Sequence, residues 1–207
     1  MRRYTSRPLP EPRYVPGRSP HPTRDSEEEQ AVGSEQSTPL DPLNWEICDD
    51  YLYGIDLFNH GYWWEAHEVF EVFWRAAGRG TLSGEFLQGL IQIAAALLKD
   101  AVQSRAAAEG LGRSGCMKLR STRGIFFGVD REALASAIES FLAGRSQTPP
   151  RIDLVFARRW SVWRQDAHGS RFEIRHGLTR DEALQLVADF ESRGHKQGYW
   201  LQAEDGR

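Results

Sequence analysis

His67, Glu68 and Glu71 stand together in the run H-E-V-F-E. A histidine and a carboxylate four residues apart lie on one face of a helix, where both can reach a single zinc, iron or manganese ion. The run lacks the second histidine of H-E-x-x-H, so a metal would need further ligands, and His21, His60 and Glu68 are the nearby candidates. In a metal-dependent, hydrolase-like enzyme Glu68 or Glu71 would act as general base, with His67 holding the metal or sharing the proton transfer. Two other readings use the same residues. His67 and Glu71 can form a buried polar network with a glutamine that fixes the packing of two helices, or they can line a pocket for an organic ligand or a peptide. Both make a non-enzymatic binding or scaffolding protein, and that is the reading adopted from the sequence. No cofactor and no particular protein or small-molecule partner can be named.

The residues need helices to hold them. Asp41 as N-cap with Pro42 in the first turn predicts a first helix running to about Asn59, with Leu43, Ile47, Tyr51, Gly54, Ile55 and Phe58 on its apolar face and Glu46, Asp49 and Asp50 in solvent. Gly61 ends it. A second helix, from about Tyr62 to Ala77, stops at Gly78; it places His67, Glu71 and Trp74 in one sector flanked by Trp63, Trp64 and Phe70, while Glu65, Glu68 and Arg75 point away. The two ionisable groups thus fall in an aromatic surround, where a charge costs several kcal/mol unless it is paired. A third helix, about Gly84 to Val102 with Ser83 as its cap, is apolar around most of its circumference except for the stripe Glu85, Gln88, Gln92 and Lys99. Either this stripe faces solvent, or Gln88 and Gln92 face His67 and Glu71 across a close helix contact. A weaker helix or helix pair follows from Ser104 to Arg123. Asp130 then caps a further helix from Arg131 to about Ala143, ended by Gly144.

Residues 1–40 carry Pro, Gly, Ser and charge without an apolar period, which predicts an extended arm and a flexible linker; within them RYVPGRSPHP could lie as a polyproline-like strip on a folded surface. Residues 41–145 make the helical bundle and 146–157 a stiff connector containing Pro149 and Pro150. Beyond it the periodicity alternates, and 158–203 read as a small ββαβ module: strands at Trp160 to Gln165 and Arg171 to Arg175, a helix with a Thr179/Glu182 capping box ended by Gly194, and a strand from Gln197 to Gln202. The fold class is mainly α.

The 207 residues carry a formal net charge of −3, which gives no general argument for nucleic acid or an anionic membrane as partner. The module is locally cationic through Arg158, Arg159, Arg164, Arg171, Arg175, Arg193 and Lys196. Interleaved with Trp163 and Trp200 these could suit single-stranded nucleic acid, but Glu173, Asp181, Asp189 and Glu191 nearly cancel their charge. No apolar run is long enough to span a bilayer, no glycine-rich phosphate loop follows a strand, and Cys48 and Cys116 read as small core residues in a protein of the reducing cytoplasm.

The run FNHGYWWEAHEVFEVFW from Phe58 to Trp74, followed by FLQGLIQIAAALLK from Phe86 to Lys99, resembles the bacterial and archaeal proteins grouped as the domain-of-unknown-function 309 family. The RYVPGRSPHP strip is similar to longer members. The resemblance covers roughly Pro8 to Phe141, implies an all-helical bundle, and carries over His67, Glu68, Glu71, Trp74, Gln88 and Gln92 as motif positions. It implies no activity.

Overall fold

The computed structural model describes residues 3–17, 19, 38–121, 123–156, 159–166, 168–193 and 197–204. They fall into a helical unit that ends at Val155 and a smaller unit that begins at Phe156. The first holds α1 (Asp49–Asn59), α2 (Trp63–Ala77), α3 (Leu82–Ala101), α4 (Arg105–Leu119) and α5 (Arg131–Leu142), each packed against the next along the chain. The protein is therefore helix-rich, with a small antiparallel sheet in its C-terminal part.

The first helix starts later than Asp41. The Asp41 carboxylate accepts the Leu43 N–H at 2.9 Å and the Asn44 side-chain amide at 2.6 Å, which closes a turn instead of capping a helix. One 3₁₀ turn (Trp45–Ile47) follows, Cys48 is extended, and α1 begins at Asp49 with two acids in its first turn, where they complement the helix dipole. Its end is the one expected. Gly61 has φ +82°, its N–H reaches the Phe58 carbonyl, and the Tyr62 N–H reaches the Leu57 carbonyl, the paired bonds of a Schellman stop. The cap of α3 is Thr81 rather than Ser83, since the Thr81 hydroxyl accepts the Gly84 N–H at 2.9 Å. The weak pattern after Ser104 is a single helix, and Asp130 caps α5 through the Ala133 N–H.

The core gathers around Tyr51, fully buried, whose ring lies 6.0 to 6.4 Å from Phe70, Phe73 and Phe127. Phe127 arrives by a hairpin the sequence pattern does not announce, β1 (Ile125–Phe126) and β2 (Val129–Asp130). Its two turn residues, Phe127 and Gly128, both have positive φ, as a two-residue hairpin turn of this kind requires. The Tyr51 hydroxyl donates to the Phe127 carbonyl at 2.9 Å, so the turn's buried acceptor is satisfied from inside the core.

The chain after α5, expected to be a connector, is partly bound to the helices. Pro150, Ile152 and Leu154 are buried, and Leu154 bridges to Val129. The side-chain amide of Asn59 donates to the Ile152 carbonyl at 2.8 Å and accepts its N–H at 2.7 Å, substituting for a neighbouring strand.

The second unit contains β3 (Trp160–Gln165), β4 (Arg171–Leu178), α6 (Arg180–Ser192) and β5 (Gly198–Ala203), with the strands antiparallel in the order β4-β3-β5. The Asp166 carboxylate accepts the N–H groups of His168 and Ser170 and so shapes the β3–β4 turn. Thr179 and Glu182 form the full capping box at the head of α6. Val162 and Ala183 are its fully buried centre.

Candidate functional site

α2 turns Ala66, Phe70 and Phe73 into the core and leaves His67 and Glu71 on the adjoining sector. They are half-buried there, with 25% and 27% of their side chains exposed, rather than enclosed by aromatics. Glu68 belongs with them and does not point away: one donor atom from each of His67, Glu68 and Glu71 lies within 4.8 Å of the others. His67 Nε2 stands 3.8 Å from Glu71 Oε2 and 3.9 Å from Glu68 Oε1, ion-pair separations longer than hydrogen bonds. Arg75, one turn on, holds the other Glu71 oxygen at 3.0 Å. The imidazole is stacked on the Trp64 indole at 5.8 Å with 12° between planes, which fixes its orientation.

The remaining anticipated residues are dispersed. Trp74 is half-buried, with the Arg79 guanidinium 5.6 Å from its ring. No hydrogen bond among the described residues joins Gln88 or Gln92 to His67 or Glu71; Gln92 Oε1 is buried without a hydrogen-bond partner, and Gln88 is half-buried. Glu85, at the head of the same stripe, pairs with Lys118 of α4 at 2.8 Å. His21 lies outside the described residues. His60 is on the α1–α2 corner; burial lowers its pKa and the nearby Arg3 guanidinium lowers it further.

Sequence reasoning allowed the RYVPGRSPHP strip to lie on a folded surface, and Arg13 and Tyr14 do so, but it missed that the arm is anchored from residue 3 onward. The arm, residues 3–17, lies along α1 and reaches α2. The fully buried carboxylate of Asp56 accepts the Tyr4 N–H at 2.8 Å, and the Thr5 N–H and hydroxyl each at 2.9 Å, with Arg3 Nε 3.6 Å away. The Tyr53 hydroxyl donates to the Pro8 carbonyl, and Arg13 donates to the Gly61 carbonyl. At the far end the Tyr14 N–H meets Glu65 Oε1 at 2.8 Å, so Glu65 faces the arm and not solvent. The buried Tyr14 ring stands edge-on to Trp64 at 5.1 Å. Arm, indole and imidazole therefore form one series: Tyr14 on Trp64, Trp64 on His67. A readable signal existed. Asp56 is a carboxylate between Ile55 and Leu57 in the most buried stretch of α1, where a charge requires partners.

Cys116 is placed as a core residue and not as a nucleophile. Burial pushes the Cys116 thiol up to about 11, and its S–H is directed at the Ala135 carbonyl, 3.5 Å away, inside the core.

Five consecutively packed helices with a histidine–carboxylate cluster on the rim of α2 define a helical-bundle protein with a polar surface site. Within it, residues 51–111 match the family model described as Domain of unknown function (DUF309), the family the sequence resembles. The matched segment takes in all of α2 and α3, and with them every motif position of the cluster; the arm, α5 and the C-terminal unit lie outside it. No curated protein matches the chain. No helix among the described residues is long and apolar enough to cross a membrane.

Proposed function

We propose that the helical unit is a binding module whose site is the His67–Glu68–Glu71 face of α2, and that its ligand presents a cationic centre, a divalent metal ion being the simplest. The observation that carries this reading is the convergence of the three donor atoms within 4.8 Å. Donors on a tetrahedral ion with bonds near 2.1 Å stand about 3.4 Å apart, and the His67 separations of 3.8 and 3.9 Å need only small side-chain rotations to reach that. The groups that orient the donors support the same reading. Trp64 fixes the imidazole plane, and Arg75 engages one Glu71 oxygen while leaving the other free to coordinate. Binding rather than catalysis is favoured by the setting, since Glu68 is 43% exposed and a general base that open to solvent is poorly shielded from water.

The test is calorimetric titration of chelator-stripped protein with zinc and with manganese. One-to-one binding is expected, weakened about tenfold or more by His67→Ala and by Glu71→Gln. No detectable binding, or binding indifferent to His67→Ala, removes the reading. A second reading, a metal-dependent hydrolase, draws on the same three donors, because three protein ligands leave a position for an activated water. It requires that the metal-loaded protein hydrolyse a simple activated ester faster than the His67→Ala variant does.

A further inference from the structure

Tyr14 is the point at which the arm meets the residues that hold the α2 donors. Its backbone N–H donates to Glu65 Oε1 at 2.8 Å and its ring stands edge-on to Trp64 at 5.1 Å, so one arm residue engages two consecutive side chains of α2. Its place is set from both sides. Arg13 donates to the Gly61 carbonyl just before it. Just after it the chain turns on itself, with the Ser19 hydroxyl accepting the Val15 N–H at 2.7 Å and the Ser19 N–H meeting the Val15 carbonyl at 3.1 Å.

The contact is opposed as well as favoured. Burial of the Tyr14 ring holds it closed, whereas the second carboxylate oxygen, Glu65 Oε2, is buried without a hydrogen-bond partner, which costs free energy as long as the arm stays down. Docked and undocked forms are thereby drawn closer together, the condition under which a ligand can shift one toward the other.

Trp64 carries the effect to the donors. Its indole is stacked on the His67 imidazole at 5.8 Å with 12° between planes. Coordination requires that imidazole in one rotamer, and every side chain that a ligand must itself immobilise weakens its binding. Tyr14 restricts Trp64 and Trp64 restricts His67, so the docked arm supplies in advance part of the order that coordination demands. We infer that Tyr14 is a positioning residue of the cation site, and that arm docking and cation binding are cooperative, each strengthening the other by the same factor. This rests on the reading of His67, Glu68 and Glu71 as a cation site.

The test uses the full chain, stripped with chelator, and zinc alone. Tyr14→Ala should weaken zinc binding about fivefold, and Tyr14→Phe, which keeps the ring, should restore the parent affinity. A merely structural Tyr14 would lower the thermal midpoint on truncation without moving the zinc affinity. An unchanged far-ultraviolet circular dichroism spectrum certifies the helices of both variants. The reciprocal effect is read without altering Tyr14, by tryptic cleavage after the exposed Arg13. Opening must precede cleavage, so saturating zinc should slow it about fivefold in the parent and leave it unchanged in His67→Ala. Zinc affinity unaltered in Tyr14→Ala, or cleavage in the parent indifferent to zinc, overturns the inference and leaves the α2 site standing. Absence of zinc binding by the parent removes the site and the inference together.

Discussion

Asp56 concentrates the cost of holding the arm in place. A carboxylate with no solvent exposure accepts two backbone N–H groups and one hydroxyl from residues more than fifty positions earlier. Asp56→Ala removes the acceptor and leaves the Tyr4 and Thr5 N–H groups to find water, so a loss of about 3 kcal/mol or more is expected, the scale of breaking one partner out of a buried charged network. Urea denaturation gives the stability. Limited proteolysis of the native variant reports the arm separately, since cleavage near Pro8 should become fast while the helices stay intact. An arm still protected in Asp56→Ala would show that Tyr14 and its contacts with Glu65 and Trp64 suffice to hold it.

Among the helices, α3 and α4 pack backbone close to backbone, and glycine permits it. A Cβ on Gly115 would lie 2.9 Å from the Gly89 carbonyl and 2.7 Å from Ile93 Cγ1, while a Cβ on Gly89 would meet Leu119 at 3.1 Å. Gly115→Ala must push against backbone, and a loss of about 1 to 3 kcal/mol follows from the overpacking. Gly110→Ala on the same helix meets nothing within 4 Å and should be neutral or slightly stabilising through helix propensity, so the pair of thermal midpoints isolates the contact from the residue type. The elements that were legible beforehand carry their own punctuation: α2 between Gly61 and Gly78, α5 behind Asp130, α6 behind its capping box. Those that were not depend on distant partners. Phe127 adopts φ +45° because its ring and carbonyl are held by Tyr51, and nothing local announces a hairpin there. Asn59 reads as the tail of a helix, yet its amide binds Ile152, ninety-three positions on. The candidate site divides in the same way. The periodicity of α2 puts His67 and Glu71 on one side, whereas Glu68 joins them through its long side chain and Tyr14 through the course of the arm, and neither follows from helical angle.

For the whole molecule, these local environments combine into a pH profile of stability. His60 is held below its ordinary value of 6.5 by burial and then by Arg3. The unfolded chain therefore binds the proton first, and stability is complete above pH 6.5 and lost as pH falls from there toward the folded-state value. Glu139, lowered by its hydrogen bond from Arg120, adds a second acid loss below its ordinary 4.5. On the alkaline side the sign reverses. Cys116, pushed up to about 11 from 9.0, and Tyr51, raised well above 10.0, stay protonated in the fold while the unfolded chain gives up its protons, so stability declines once pH passes 9. The expected curve is a plateau between these limits, measurable as the urea midpoint at about pH 5.5, 7.5 and 10. His60→Gln should flatten the segment between 7.5 and 5.5 and leave the alkaline arm unchanged, and Cys116→Ala should soften the onset of the alkaline arm while sparing the acid side. A midpoint that does not move between pH 7.5 and 5.5 in the parent protein would mean that the α1–α2 corner opens to water often enough for His60 to titrate as it does in the unfolded chain. The arm anchored beside it through Arg3 would then be a mobile cover on the His67 region, not a fixed wall.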